Sequence, residues 1–218
     1  MKRIAFVGLL IVILFTINFV SAQSYQKGLK NLDWSYGYGF YQTQAKFLNS
    51  GLIENDKTQS IVLSMGFEYA LSNKIGIGVE LEDDLYIGAK DTMVPNTSKS
   101  HSVDIALQGN YHFLNTSHID LYGGLTYGIS SLSILQFDLS KKNVPYEYVP
   151  HNGYLANIHF NARFHLKPLI SLLLGIKYNS FGYSNVTTNY KYIWYLNTVN
   201  CNVSINGIAI STGFALSF

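Results

Sequence analysis

The chain ends with the stretch Gly207-Ile208-Ala209-Ile210-Ser211-Thr212-Gly213-Phe214-Ala215-Leu216-Ser217-Phe218. Its even-numbered positions carry large or β-branched side chains, and its odd-numbered positions carry only glycine, alanine and serine. Successive side chains of a β-strand point to opposite faces. A period of two therefore predicts a strand with one apolar face and one small or polar face.

The same alternation recurs in eight segments of the chain. We predict strands at residues 33–47, 59–72, 75–88, 101–114, 119–133, 153–166, 169–183 and 203–218. Each is long enough for the roughly 9–11 tilted residues with which a strand crosses a bilayer. No long helical span remains outside the first residues, and in lipid only helices and closed barrels satisfy their own backbone groups. The pattern therefore predicts a barrel in a membrane.

The connections between the predicted strands alternate in length. Short turns fall near residues 72–74, 115–118 and 167–168, and long polar loops fall at 48–58, 89–100, 134–152 and 184–202. Tight turns on one side and long loops on the other are typical of outer-membrane barrels. We therefore predict an all-β fold, an eight-stranded antiparallel up-and-down transmembrane β-barrel. Its N-terminus and short turns are expected in the periplasm and its four long loops outside.

The first 22 residues have the layout of a secretory signal peptide. Lys2 and Arg3 precede an apolar run over residues 4–20, which ends in the small residues Ser21 and Ala22. This pattern predicts Sec-dependent export, cleavage after Ala22 and a mature barrel domain at 23–218. An uncleaved anchor is the alternative, which the cleavage triplet disfavours. Residues 23–32 are expected to be only a tail.

Composition restricts the classes of function. The chain has 15 Lys and Arg against 13 Asp and Glu. Because Lys2 and Arg3 belong to the leader, the mature chain is formally neutral, and no basic cluster is present to bind nucleic acid. A single cysteine, Cys201, cannot form an internal disulfide. The 17 tyrosines are typical of membrane-interface belts.

The leader, the eight amphipathic strands, the alternating loop lengths and the terminal Phe218 resemble the small outer-membrane barrels of Gram-negative bacteria, the OmpA/OmpX-like group. The content of Tyr, Asn and Ile is similar to that of barrels from Bacteroidota. The resemblance implies an integral outer-membrane location among outer-membrane lipid and lipopolysaccharide. It also implies that the barrel-assembly machinery recognises the last strand, through Phe214, Leu216 and Phe218.

The inner faces of the predicted strands carry most of the charge. We expect a paired network that plugs the lumen, made of Glu68, Glu80, Glu82, Asp84, Asp104, Asp120, Arg163 and Lys177. Counting from the turns puts Arg163 level with Glu68 and Glu80, and Lys177 nearer to Glu82 and Asp84. Eight strands leave little room beyond side chains, and buried charges persist mainly when they are paired.

The favoured function is non-enzymatic, a structural or surface-interaction role in which the long loops meet an unknown extracellular ligand. The alternatives are a narrow porin-like channel and a lipid-modifying enzyme of the lipid A acyl hydrolase kind. His101, Ser102 and Asp104 have the residue types of a hydrolase, but neighbouring strand residues point to opposite faces. We predict no cofactor and no metal site. The aromatic stretch 190–195 is interpreted as an interfacial belt or, alternatively, a binding patch.

Overall fold

The computed structural model describes residues 25–87, 99–137, 146–192 and 195–218. The predicted leader lies outside these residues, together with parts of three predicted loops and Trp194. Eight strands follow one another: β1 Lys30–Phe47, β2 Ile53–Ala70, β3 Ile75–Ile87, β4 Lys99–Asn115, β5 Ile119–Phe137, β6 Tyr146–Lys167, β7 Ile170–Tyr192 and β8 Tyr195–Ser217. The described residues include no helix long and apolar enough to span a membrane.

Each strand pairs antiparallel with its neighbour in sequence, and β1 also pairs with β8, so the sheet closes into a barrel. The register of the seam runs from Asn31 opposite Ser217 to Phe47 opposite Cys201. This confirms the predicted eight-stranded up-and-down barrel. We call the end with the short turns at 71–74, 116–118 and 168–169 the turn end, and the opposite end the hairpin end.

The faces of the strands follow the alternation in the sequence. Apolar side chains point outward, where Leu107 is 71% and Ile129 is 69% exposed. Trp34, Tyr36 and Phe40 on β1 belong to the same outer face. The inner positions of β8 from Gly207 to Ser217 are glycine, alanine and serine because a ring of eight strands has space for few large side chains.

Strand lengths differ from the prediction at the hairpin end. β7 and β8 each have 23 residues, whereas β3 has 13. The predicted loops at 134–152 and 184–202 are therefore wrong over most of their length, and β2 already begins at Ile53. Where both faces of a strand lie outside the membrane, neither needs to be apolar, so the period-two signal disappears although the strand continues.

The prediction of a plain tail at residues 23–32 is also wrong. β1 begins at Lys30, and Tyr25 before it is only 2% exposed. The chain turns at Gly28, whose φ of 89° is readily adopted only by glycine. The Gly28 amide donates to the Ala70 carbonyl at 2.9 Å, so the segment is fixed against the end of β2.

Candidate functional site: the interior of the barrel

The interior near the turn end is organised around Arg163 on β6, which is 1% exposed. Its Nη2 lies 2.8 Å from Asp33 Oδ2 and 2.8 Å from Glu68 Oε2, and its Nη1 lies 3.3 Å from Asp120 Oδ2. The guanidinium carbon also stands 4.3 Å from the centre of the Tyr122 ring. Three carboxylates and one aromatic face thus surround a single buried cation.

The predicted partners of Arg163 are only partly right. Glu68 contacts it, but the predicted pairing with Glu80 is wrong, because Glu80 instead lies 3.3 Å from the Lys177 ammonium. Asp120, predicted as a member of the network but not as a partner of Arg163, contacts it as well. Asp33 was not predicted as a partner. Asp33 is the first residue of the predicted strand, and a charged residue at the end of a strand is usually exposed to solvent. Its position therefore gave no sign that it is part of the interior.

His112 on β4 joins the acids of this cluster. Its Nδ1 lies 2.7 Å from Asp120 Oδ1 and its Nε2 lies 2.9 Å from Glu68 Oε1. The imidazole is stacked between the rings of Tyr25, at 3.5 Å, and Tyr122, at 4.9 Å. Sequence reasoning missed His112, although its place on the inner face of β4 was available from the alternation.

Tyr25 closes the turn end of the interior. Its backbone N–H donates to Asn115 Oδ1 at 2.8 Å, and the Asn115 amide donates back to the Tyr25 carbonyl. Its hydroxyl donates to Glu68 Oε1 at 3.4 Å. Burial, and secondarily the Glu68 carboxylate, raise the pKa of the Tyr25 phenol, which therefore stays a neutral donor. At Gly76 a Cβ would collide with Tyr25 and Glu68, so glycine makes the space for this ring.

The middle of the barrel holds the second cation, Lys177. Its ammonium contacts Glu82 as well as Glu80. Beside it lies a polar cavity of about 40 Å³ whose walls include Glu80, Gln108 and His159. A space of this size holds a few water molecules at most. Among the described residues, this cavity of the middle layer therefore has room for bound water alone.

Asp84 and Asp104 lie closer to the hairpin end and are bonded by hydroxyl groups. Ser60 Oγ donates to Asp84 Oδ1 at 2.6 Å, and the Tyr41 hydroxyl donates to the same oxygen at 3.2 Å. Ser102 Oγ is 3.5 Å from Asp104 Oδ2. The structure therefore places all eight predicted network residues inside the barrel, but it divides them into separate groups.

An apolar layer fills the interior above these acids. Its buried members come from seven strands and pack against one another: Tyr41, Tyr86, Ala106, Leu132, Leu155, Phe181, Tyr183, Val186, Cys201 and Ile205. The Phe181 and Tyr183 rings are parallel. This layer closes the interior on the side of the hairpin end.

The residues considered for hydrolysis do not assemble. Ser102 and Asp104 are buried on the inner face of β4, whereas His101, which directly precedes Ser102, points to the opposite face. In the aromatic stretch 190–195, residues 190–192 and 195 have strand backbone. The side chains of this stretch are not among those described, so its interpretation as an interfacial belt or a binding patch stays a prediction.

The predicted assembly residues lie on the outer face of the last strand. Phe214 is exposed, Leu216 is half-buried, and Phe218 is exposed just beyond the end of β8. The backbone of Phe218 also exchanges two hydrogen bonds with Lys30, each of 2.9 Å. The terminal residue thus belongs to the seam of the barrel in its backbone as well as to the outer surface in its side chain.

Comparison with solved structures identifies the architecture. The chain is similar to the outer membrane protein OprG from Pseudomonas aeruginosa, with a TM-score of 0.56 and 13% identity over 90% of this chain and 99% of that one. The chain has the fold of an outer-membrane β-barrel.

Two further structures resemble it less. Neisserial surface protein A has a TM-score of 0.46 and 16% identity, covering 85% of this chain and 97% of that one. Ail of Yersinia pestis has a TM-score of 0.45 and 12% identity, covering 88% and 99%. No family model matches the chain, and no curated protein matches its sequence. The comparisons therefore carry the fold alone.

Proposed function

We propose that this protein is an integral, non-conducting and non-enzymatic outer-membrane barrel that acts through the surface it presents outside the cell. The observation that carries the proposal is the filled interior. The Arg163 cluster and Tyr25 close the turn end, and the apolar layer around Phe181 closes the other end. In the part of the chain that the structure describes, ion pairs and packed rings close the lumen at both ends, and this supports a barrel that a solute does not permeate.

Two β-hairpins supply the proposed interaction surface. Among the described residues, β5 beyond Ser133 pairs with β6 alone, and β7 beyond Tyr183 pairs with β8 alone. Strands of 23 residues are about twice as long as the 9–11 residues that cross a bilayer. We call the segments 134–137 with 146–149 and 186–192 with 195–201 the outer hairpins. Within the described ranges, the segments 134–137 and 188–192 pair with a strand on one side, so an extended partner segment can add to the other side.

The remaining parts of the proposal follow from the sequence. They are export by the Sec route with removal of residues 1–22, a periplasmic turn end, contact with lipopolysaccharide on the outer leaflet, and kinship with the OmpA/OmpX-like barrels of Bacteroidota. The apolar outer face supports the membrane location, since an exposed belt of this extent has no place in water.

The test combines conductance with a hairpin truncation. We expect purified protein in planar bilayers to show no steady ionic conductance at neutral pH. In the truncated variant, residues 188–199 are replaced by Asn-Gly, so that the directly paired Thr187 and Asn200 are joined by a two-residue turn. Because the barrel below is unchanged, this variant should still migrate differently on gels before and after boiling.

A deletion strain is then complemented with either form. We expect the full-length chain to restore surface attachment of the cells and the truncated chain to fail, with identical acylation of outer-membrane lipids in all strains. An open channel would favour the porin-like alternative, and a change in lipid acylation that only the full-length chain reverses would favour the enzyme.

The terminal aromatic residue provides a separate prediction about assembly. Phe218→Ala keeps both backbone hydrogen bonds to Lys30 and removes an exposed ring, so refolding into detergent should be unchanged. If the assembly machinery recognises this ring, the amount of protein in the outer membrane should fall severalfold in cells. Phe40→Ala, which removes an exposed ring of β1 on the same outer face, is the control for loss of an aromatic group. Equal cellular yields of the two variants would contradict the prediction.

A further inference from the structure

Three buried carboxylates converge at one point in the barrel. Glu82, Asp84 and Asp104 are each no more than 2% exposed, and one carboxylate oxygen from each lies within 4.8 Å of the others. We call these three residues the carboxylate triad. β3 supplies the first two and the neighbouring β4 supplies the third, with Glu82 directly opposite Asp104 in the register.

Oxygen atoms at the triad lack donors. Within the described part of the chain, no hydrogen-bond donor reaches Asp84 Oδ2 or Asp104 Oδ1, although both atoms are fully buried. Asn179 on β7 adds a neutral oxygen that is also buried without a hydrogen-bond donor. Its amide nitrogen donates to Glu82 Oε1 at 3.3 Å and to the Tyr41 hydroxyl at 3.0 Å, while its Oδ1 is buried without a donor.

The charges at the triad do not balance. Near the turn end, Arg163 supplies a cation to three carboxylates. Near the triad the described cation is Lys177, and its ion pairs are with Glu80 and Glu82. Asp84 and Asp104 have no ion pair among the described residues. A buried carboxylate without a cation carries a large desolvation cost, so a positive species at this position would stabilise the barrel.

We propose that the carboxylate triad binds a hard divalent cation of the Ca²⁺ class. Calcium takes oxygen ligands at about 2.3–2.6 Å, so two oxygens on opposite sides of the ion are about 4.6–5.2 Å apart. The separation of at most 4.8 Å between the triad oxygens fits one ion among them. The hydrogen bonds from Ser60 and Tyr41 hold Asp84 Oδ1, which leaves Oδ2 for the ion.

The donor set selects the kind of ion. Carboxylate and amide oxygens suit Ca²⁺ and Mg²⁺, whereas zinc sites are built mainly from cysteine and histidine, neither of which is part of the triad. Calcium accepts six to eight oxygens in a flexible arrangement, while Mg²⁺ prefers to keep several waters. A triad closed between the apolar layer and the middle cavity favours the ion that takes more of its ligands from the protein.

Terbium luminescence tests the site, because Tb³⁺ replaces Ca²⁺ at oxygen sites and is excited through nearby tyrosines such as Tyr41. We expect chelator-treated protein, refolded in detergent with Tb³⁺, to show saturable emission that Ca²⁺ suppresses more effectively than Mg²⁺. Asp104→Asn should weaken the binding at least tenfold. Asp83→Asn, on the outer face of β3, should leave it unchanged.

Calcium should also raise the midpoint of thermal unfolding of the parent protein and of Asp83→Asn, since a ligand that binds only the folded state stabilises it. If Asp104→Asn does not fold without the cation, the thermal unfolding of the parent protein and of Asp83→Asn, measured with and without calcium, decides the question. Absence of saturable emission, or equal affinity in Asp104→Asn and Asp83→Asn, would overturn the proposal. In that case a proton shared between Asp84 and Asp104 would account for the buried pair.

Discussion

Replacing Arg163 with alanine is expected to destabilise the barrel by about 3–5 kcal/mol, the usual cost of removing one partner from a buried ion pair. Asp33, Glu68 and Asp120 would remain within the barrel without their common cation. The free energy of unfolding is measured by urea titration of protein refolded in detergent. Lys74→Ala, in an exposed turn, is the control for the loss of a positive charge.

A double-mutant cycle identifies the partners of Arg163. The Arg163→Ala and Glu68→Gln substitutions should together cost less than the sum of their separate costs, because the two side chains are in contact. The corresponding cycle with Glu80→Gln should be close to additive, since Glu80 pairs with Lys177. Coupling of Arg163 to Glu80 as strong as its coupling to Glu68 would contradict the arrangement described above.

Replacing Tyr25 with alanine is expected to have a comparable effect, about 3–5 kcal/mol by analogy with other large aromatic side chains removed from a core. The ring stacks on His112 and fills the turn end, and its loss would admit water to the Arg163 cluster. Tyr25→Phe, which loses only the 3.4 Å hydrogen bond to Glu68, should cost about 1 kcal/mol. Urea unfolding in detergent measures both.

Lys27→Ala is the matched control within the same segment, because Lys27 is exposed. If Tyr25→Ala unfolded at the same urea concentration as this control, the contacts of Tyr25 with the interior would not stabilise the barrel, which would contradict the prediction.

The sequence predicts the faces of the strands well because two requirements act on alternate residues. Outward side chains contact lipid and are apolar, whereas inward side chains must fit a crowded interior. Gly213 and Phe214 illustrate this, since each follows from its parity alone. The same parity places Arg163 and Glu68 inside. Contacts within the interior depend on the stagger between strands, which alternation does not encode. The pairing of Glu80 with Lys177 rather than Arg163 is a result of that stagger.

Two features were inaccessible to strand periodicity for different reasons. Tyr25 precedes the first strand, and its burial depends on a turn at Gly28, which lies outside the alternation. It also depends on space at Gly76, and the alternation of β3 does not show which side chain fills that space. The outer hairpins continue where neither face is required to be apolar, so residues such as Thr187 and Asn200 pair within a stretch that reads as a polar loop.

The cluster around Arg163 also bears on how the barrel forms. Its residues come from β1, β2, β4, β5 and β6, and a hydrogen-bond relay extends it to the last strand, from Ser217 to Asn31 and from Asn31 to Glu68. Before the seam closes, the acids from β1 and β2 have no fixed position beside the cation from β6. A partly assembled chain therefore lacks most of the stabilisation from these ion pairs, because the pairs form only when the barrel closes. Sheet closure and charge pairing should therefore occur as a single cooperative event, with few stable intermediates in which the ring is open.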